Sequence, residues 1–343
     1  MANVLLTTSC VRHCPYCFAK TEMEGSPTSE RLSWENVVYL ADFLLASGEQ
    51  RVSLLGGEPT LHPDFVDIVL YFIERGFFVT VFTSGVMNRA KLELCERYLA
   101  SKTNALGFVC NLNDPEQTPA PEKERESVHR FLTAMGPLVT PGFNIYRTDF
   151  RLEFIFDSVV RYGLRRHLRL GIAHPIPGSA NSFIQPADMG RVIDRLHSYA
   201  EQFDRLRITP GFDCGFPLCR VNNEQIGWLY RVSQGHLSFG CGMPLDITPD
   251  MSIYNCFPLS NYQRRSLFEF NTLQEVQAFY QKMAHSIRAE MPGIFDECDG
   301  CIHREEQRCA GGGVCQLLGR MMSEPPVRLQ EINDGLAALR SAV

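Results

Sequence analysis

The chain has 343 residues, 45% of them hydrophobic, with a formal charge of −6 and thirteen cysteines. This composition excludes disordered, collagen-like and low-complexity classes, and the acidic balance argues against a surface that wraps a nucleic-acid backbone. No apolar run approaches the ~18 residues of a membrane helix. The opening MANVLLTTSC lacks the charged region and cleavage site of a signal peptide. The expected setting is therefore the cytoplasm, and the length suggests two domains.

In chain order, an apolar run over 3–8 predicts a first strand, ending at the first cysteine. Ser33 caps a helix running to residue 47, and Gly48 stops it. Arg51–Leu55 reads as the second strand, followed by a Gly-Gly turn and a helix over 64–74. Residues 77–83 (FFVTVFT) are β-branched and aromatic, which predicts a strand buried on both faces. Helices over 88–100, 122–135, 150–162 and 186–201 then alternate with strands over 105–112, 142–147 and 167–173. Six βα units imply parallel strands with right-handed crossovers, in an open sheet or a barrel. Either way, ligands are sought just beyond the carboxyl ends of the strands. After residue 205 the alternation stops. Residues 209–260 are rich in Gly, Pro and Cys, and 246–256 predicts a hairpin turning at Pro249-Asp250. A helix over 272–288, a Cys-rich loop over 296–316 and a closing helix over 328–341 complete the expected order.

Thirteen cysteines fall below the ~8–10% of a disulfide scaffold, and in a reducing compartment clustered cysteines bind metal more often than they pair. Three sit in Cys10-Val-Arg-His-Cys14-Pro-Tyr-Cys17, just after the first strand. Three thiolates on one loop can each hold an iron of a four-iron cluster and leave the fourth iron open. The other reading of this segment is a zinc knuckle with His13 as fourth ligand.

The Cys-x3-Cys-x2-Cys spacing, with Tyr16 before the last cysteine, resembles the signature of the radical S-adenosylmethionine (SAM) superfamily. Gly56-Gly57-Glu58-Pro59, after the second strand, resembles the motif that binds the SAM amino group in that family. Its glycines would let backbone approach the ligand closely. Thr83-Ser84-Gly85 resembles the family's Thr-Asn-Gly, with Ser84 in the Asn position, or is a plain strand-to-helix turn. Asn111 and Asn113, Arg147 and His174 follow strands four, five and six and are candidates for contacts to SAM. The implied fold is a partial (β/α)6 TIM-like barrel over residues 1–205.

Eight cysteines remain: Cys214, Cys219, Cys241, Cys256, Cys298, Cys301, Cys309 and Cys315. The segment from Cys241 to Cys256 resembles the opening of the SPASM domain, and Cys298-x2-Cys301-x7-Cys309-x5-Cys315 resembles its second half. Residues 206–343 would then form an auxiliary domain holding one or two [4Fe–4S] clusters. The last two spacings depart from the usual pattern, and no cysteine follows Cys315. Cys214 or Cys219 substitutes, one cluster keeps an open iron, or a single cluster is bound as in the shorter twitch domain. Zinc is the alternative metal. Cys95 reads as a buried mid-helix residue. Cys110, near the end of strand four, is either a packed core residue or a thiol facing the mouth that donates a hydrogen atom to a substrate radical.

The resemblance implies a cluster at Cys10, Cys14 and Cys17 that chelates SAM. A flavodoxin- or ferredoxin-like donor supplies the electron that releases a 5′-deoxyadenosyl radical, which abstracts a substrate hydrogen. Oxidation or cross-linking of a peptide is the first expectation, and a dehydrogenase or epimerase acting on a small molecule the second. A non-catalytic iron–sulfur or zinc scaffold is the third. The chain starts on its first strand, leaving no room for the N-terminal peptide-recognition domain of many relatives. Phe257 stands where sulfatase-maturing relatives carry aspartate.

Overall fold

The computed structural model describes residues 2–25, 30–235, 237 and 239–323. Seven strands run parallel to their neighbours: β1 (Ala2–Leu5), β2 (Arg51–Leu55), β3 (Phe78–Thr83), β4 (Leu106–Asn111), β5 (Val139–Ile145), β6 (His167–Ile172) and β7 (Thr209–Phe212). β8 (Leu245–Ile247), β9 (Ser252–Asn255) and β10 (Arg265–Ser266) join the same sheet from the far side. β8 pairs in parallel with β1, and the other two follow antiparallel. The order is β10-β9-β8-β1-β2-β3-β4-β5-β6-β7, an open sheet rather than a closed barrel.

The helices are α1 (Lys20–Gly25), α2 (Trp34–Ala46), α3 (Phe65–Glu74), α4 (Arg89–Tyr98), α5 (Glu122–Met135), α6 (Glu153–Tyr162), α7 (Met189–His197), α8 (Ala200–Leu206), α9 (Asn223–Val232), α10 (Leu273–Glu290), α11 (Ile302–Glu305) and α12 (Val314–Ser323). Apolar residues of α2 to α9 and of the first half of α10 share one core with the strands. On α3, for example, Phe65, Val66, Ile68, Val69 and Phe72 are buried. Ser33 Oγ accepts from Asn36 N at 3.2 Å, the cap expected for α2. Among the described residues no helix is long and apolar enough to cross a membrane.

Several expected elements differ in the structure. The helix expected over 186–201 divides into a 3-10 turn, α7 and α8, with a break at Ser198 and Tyr199. β3 alternates between half-buried and buried residues, so only one of its faces lies in the core. β7 and α9 were not anticipated, and the expected loop over 296–316 contains α11 and the start of α12. The helix expected over 328–341 lies outside the described residues.

The hairpin turn does fall at Pro249-Asp250, where Asp250 Oδ1 accepts from Ser252 N at 3.0 Å. Leu245, Ile247, Ile253, Leu273 and Val276 share one core with the strands of the first half. A smaller core lies between the end of α10 and α12, around Ile287, Met291, Val314 and Leu317. Polar ties also join the two halves. Asn3 Nδ2 donates to Asp246 Oδ1 at 2.7 Å, and Arg264 pairs with the buried Glu22 at 2.6 Å.

Candidate active site

Beyond β1 the chain continues beside the segment that follows β2. Leu6 N donates to Leu55 O (2.8 Å), Gly57 N to Thr7 O (2.8 Å) and Glu58 N to Ser9 O (2.7 Å). A Cβ on Gly56 or Gly57 would overlap the Thr7 or Ser9 carbonyl oxygen outright, and on Gly57 it would stand 2.9 Å from Cys10 N. The two glycines therefore admit the backbone that carries Cys10. This close approach is one the sequence reading did not foresee.

The three cysteines follow on this loop, all partly exposed thiols. Cys17 N donates to Cys14 O at 3.1 Å, forming a tight turn, and Arg12 N points at Cys10 Sγ at 3.5 Å. Burial pushes the Cys10 thiol up, against the Arg12 amide. The Arg12 side chain anchors the loop from outside: Nε donates to Glu124 Oε1 on α5 at 2.6 Å, and Nη1 to Asn111 O at 2.9 Å. Tyr16 is buried, with its hydroxyl donating to Asn113 Oδ1 (2.8 Å) and its ring 4.9 Å from that of Tyr146. Three thiols on one loop, partly open to solvent, suit a donor set that grips three irons of a cluster.

Glu58 ties the next two loops together. Its Oε1 accepts from Thr60 Oγ1 (2.8 Å) and Thr83 Oγ1 (2.7 Å), and its Oε2 from Ser84 N (2.8 Å) and Ser84 Oγ (2.5 Å). The carboxylate is buried and satisfied from within the protein. Its visible work is to fix the Thr83-Ser84-Gly85 turn against Gly57-Glu58-Pro59. Any contact of this motif to an ammonium group falls to the main-chain oxygens.

A polar group that sequence reading missed lies on the face of the sheet away from the helices. Arg169 on β6 donates through Nη1 to Asn144 Oδ1 (2.8 Å) and Asn111 Oδ1 (3.2 Å). Its Nη2 pairs with Asp213, and its guanidinium lies 5.7 Å from the Phe82 ring. Gly142 and Gly171 leave room for it, since a Cβ on Gly142 would stand 2.8 Å from Asn111 Oδ1. The signal was present in the strand alternation, which places Asn111, Asn144 and Arg169 on one face.

Cys110 takes the packed one of its two expected places, and Arg147 is engaged away from the candidate SAM site. Cys110 is fully buried, and its sulfur faces the helix layer, against Gly85 and Phe131 of α5. Asn111 and Val109 flank it and point to the opposite face, so the alternation turns the thiol away from the mouth. Burial pushes its pKa up to about 12, which keeps it a neutral packed thiol. Arg147 is half-buried and clasps Asp149 through two hydrogen bonds of 2.5 and 2.7 Å, so its charge is already paired. His174, beyond β6, is buried, and neither ring nitrogen finds a hydrogen-bond partner among the described residues. Burial lowers its pKa to about 4, leaving a neutral ring with one free donor and one free acceptor.

The C-terminal cysteines lie on turns and element ends. Cys214 follows β7, Cys219 sits in the turn Leu218–Arg220, and Cys241 precedes β8. Cys256 follows β9 with φ of 76°, Cys298 ends the turn Asp296–Cys298, and Cys301 caps α11. Cys309 follows α11, and Cys315 lies in the first turn of α12. All are free thiols. Among the described residues no three Cys, His, Asp or Glu side chains close on a point that a single ion could occupy.

Residues 4–119, from β1 through the segment after β4, match the Radical SAM superfamily. By that match, this segment carries a Radical SAM domain. The S-adenosylmethionine-dependent nucleotide dehydratase of Selenomonas ruminantium is 33% identical over 116 residues, 33% of this chain and 40% of that protein. The PqqA peptide cyclase of Methylorubrum extorquens is 38% identical over 82 residues, 24% of this chain and 21% of that one. The match thus spans less than half of either curated relative. Streptococcus suis SuiB bound to the precursor peptide SuiA has the same fold, with TM-score 0.53 and 15% identity over 80% of this chain and 63% of that one. The Radical SAM family implies SAM and a [4Fe–4S] cluster, and the loop from Cys10 to Cys17, inside the matched segment, has the donors for it.

Proposed function

We propose that this chain is a radical SAM enzyme that modifies a peptide. Cys10, Cys14 and Cys17 would hold the cluster, and residues 206–343 would carry auxiliary iron–sulfur sites. Bound together, the cluster and SAM supply a 5′-deoxyadenosyl radical able to take a hydrogen atom from an unactivated carbon. The observation that carries the reading is the three-thiol loop pinned by the Gly56-Gly57-Glu58 backbone at the carboxyl edge of a parallel sheet, where such folds bind ligands.

The chain's own residues supply position and exclusion. Arg12 and Glu124 hold the loop, Tyr16 closes its floor, and Glu58 fixes the turns after β2 and β3. Asn111, Asn113 and the unpartnered His174 would contact SAM, and Arg147 would first have to leave Asp149. The electron donor would be flavodoxin- or ferredoxin-like. The PqqA peptide cyclase relative and the SuiB fold support a peptide substrate. The nucleotide dehydratase relative supports a second reading, a small-molecule substrate met by the Arg169 group.

Anaerobic reconstitution with iron, sulfide, reductant and SAM tests the proposal. The wild type is expected to release 5′-deoxyadenosine. Cys14→Ala is expected to release none while keeping the absorbance of the auxiliary sites. Cleavage of SAM by Cys14→Ala would refute the assignment of the loop. Transfer of deuterium from a labelled peptide, rather than from a labelled nucleotide, into 5′-deoxyadenosine would decide between the two substrate classes.

A further inference from the structure

The eight C-terminal cysteines are interleaved in sequence, but in space they fall into two groups. Cys241 packs against the small core that contains Cys315, and Cys256 lies near enough to Cys214, Cys241 and Cys315 for their charges to interact. Cys219 lies instead within reach of Cys298 and Cys309. The backbone explains both gatherings. Gly215 N donates to Gly240 O at 3.0 Å, which sets Cys214 beside Cys241 across a contact too tight for any side chain on Gly215. Cys256 N donates to Pro244 O at 2.8 Å, folding the hairpin end back to the same place. In the other group, the Arg220 guanidinium stacks 4.3 Å over the Phe295 ring and lays the turn bearing Cys219 against the turn bearing Cys298. Cys301 N donates to Cys298 O at 3.4 Å, so those two cysteines share one turn, while Gly311 N points at Cys309 Sγ at 3.4 Å. Arg288 lies between the groups, within reach of Cys241, Cys315 and Cys309, and is held by the carbonyls of Ala310 and Gly312.

We infer that Cys214, Cys241, Cys256 and Cys315 form one four-thiolate set and Cys219, Cys298, Cys301 and Cys309 the other. The second set is closed from upstream, by Cys219, rather than by a cysteine beyond Cys315. Both sets are complete with four sulfur ligands, the number a [4Fe–4S] cluster takes when no iron is left open. This inference rests on the reading of residues 206–343 as auxiliary iron–sulfur sites.

The test is iron, sulfide and zinc content, with electron paramagnetic resonance, of the anaerobically reconstituted full chain. Wild type is expected to hold about twelve irons, and Cys298→Ala about eight. Adding Cys219→Ala to Cys298→Ala is expected to remove no further iron, because both serve one cluster. Adding Cys214→Ala to Cys298→Ala is expected to leave about four. A further loss of about four irons in Cys219→Ala/Cys298→Ala would place Cys219 in the other set and overturn the partition. A wild type holding only about four irons, with zinc in the remaining sites, would overturn the iron–sulfur reading itself.

Discussion

Gly57→Ala is the most searching single change at the candidate site, because what it would collide with is entirely backbone. The new methyl group would overlap the Ser9 carbonyl and stand 2.9 Å from Cys10 N, where ordinary contact begins near 3.4 Å. Main chain cannot rotate away as a side chain can. The cysteine loop must therefore withdraw by at least about 0.5 Å at Cys10 N and further at Ser9. The hydrogen bonds from Gly57 N to Thr7 O and from Glu58 N to Ser9 O lie across that gap. At about 0.5–1.5 kcal/mol net each, their loss costs about 1–3 kcal/mol. Displacement of a reacting group by about 1 Å costs about 10²-fold in rate. Urea unfolding of the anaerobic protein should report the stability loss, and the rate of 5′-deoxyadenosine release the displacement. Gly227→Ala, on α9 with nothing within 4 Å of its added methyl, is the control and should gain about 0.5–1 kcal/mol. If Gly57→Ala matched wild type in both assays, the glycine would be an ordinary turn residue and the argument for the paired loops would fail.

Two other predictions follow from burial. His174 has a folded pKa near 4 against an unfolded value of 6.5, so the unfolded chain binds the extra proton between those limits. Its contribution is present in full above about pH 6.5 and is lost as pH falls toward 4, by up to about 3 kcal/mol. Urea midpoints measured from pH 7 to 5 should fall in wild type and flatten in His174→Leu, and equal slopes would contradict the buried neutral ring. Cys110→Ala should cost about 1 kcal/mol of stability through lost packing and leave SAM cleavage and product unchanged. Loss of product with normal SAM cleavage would show that the thiol reaches the substrate after all.

Much of the first half could be read from local chemistry. Ser33, Gly48 and the β-branched runs mark where helices and strands start and stop, and the structure puts α2, α3, β2, β3 and β4 within a few residues of those marks. β7 was missed because Thr-Pro-Gly-Phe carries turn residues and no alternation, and only pairing with β6 makes it a strand. The break between α7 and α8 interrupts no apolar pattern. The insertion of β8 beside β1 has no local sign at all, since it depends on residues 243 positions apart. At the site, the three cysteines were legible as a motif. The tasks of Gly56, Gly57 and Glu58 were not, because they concern the neighbouring loop. Of the two places open to Cys110, the packed one is selected by the strand alternation, and Arg169 gains its meaning only from Asn144 and Asn111 on the neighbouring strands.

The insertion of β8 beside β1 also governs how the protein can be made. One edge of β1 finds its partner when β2 leaves the ribosome, but the other must wait for residue 246, 243 positions after Asn3. At about 5–20 residues per second the wait is roughly 10–50 s. Throughout it the nascent sheet presents an open strand edge, a template for pairing with another chain. β1 is thus among the last of these strands to be completed. A chain truncated before residue 245 would keep that edge for life, which makes the hairpin as much a seal against aggregation as a carrier of cysteines.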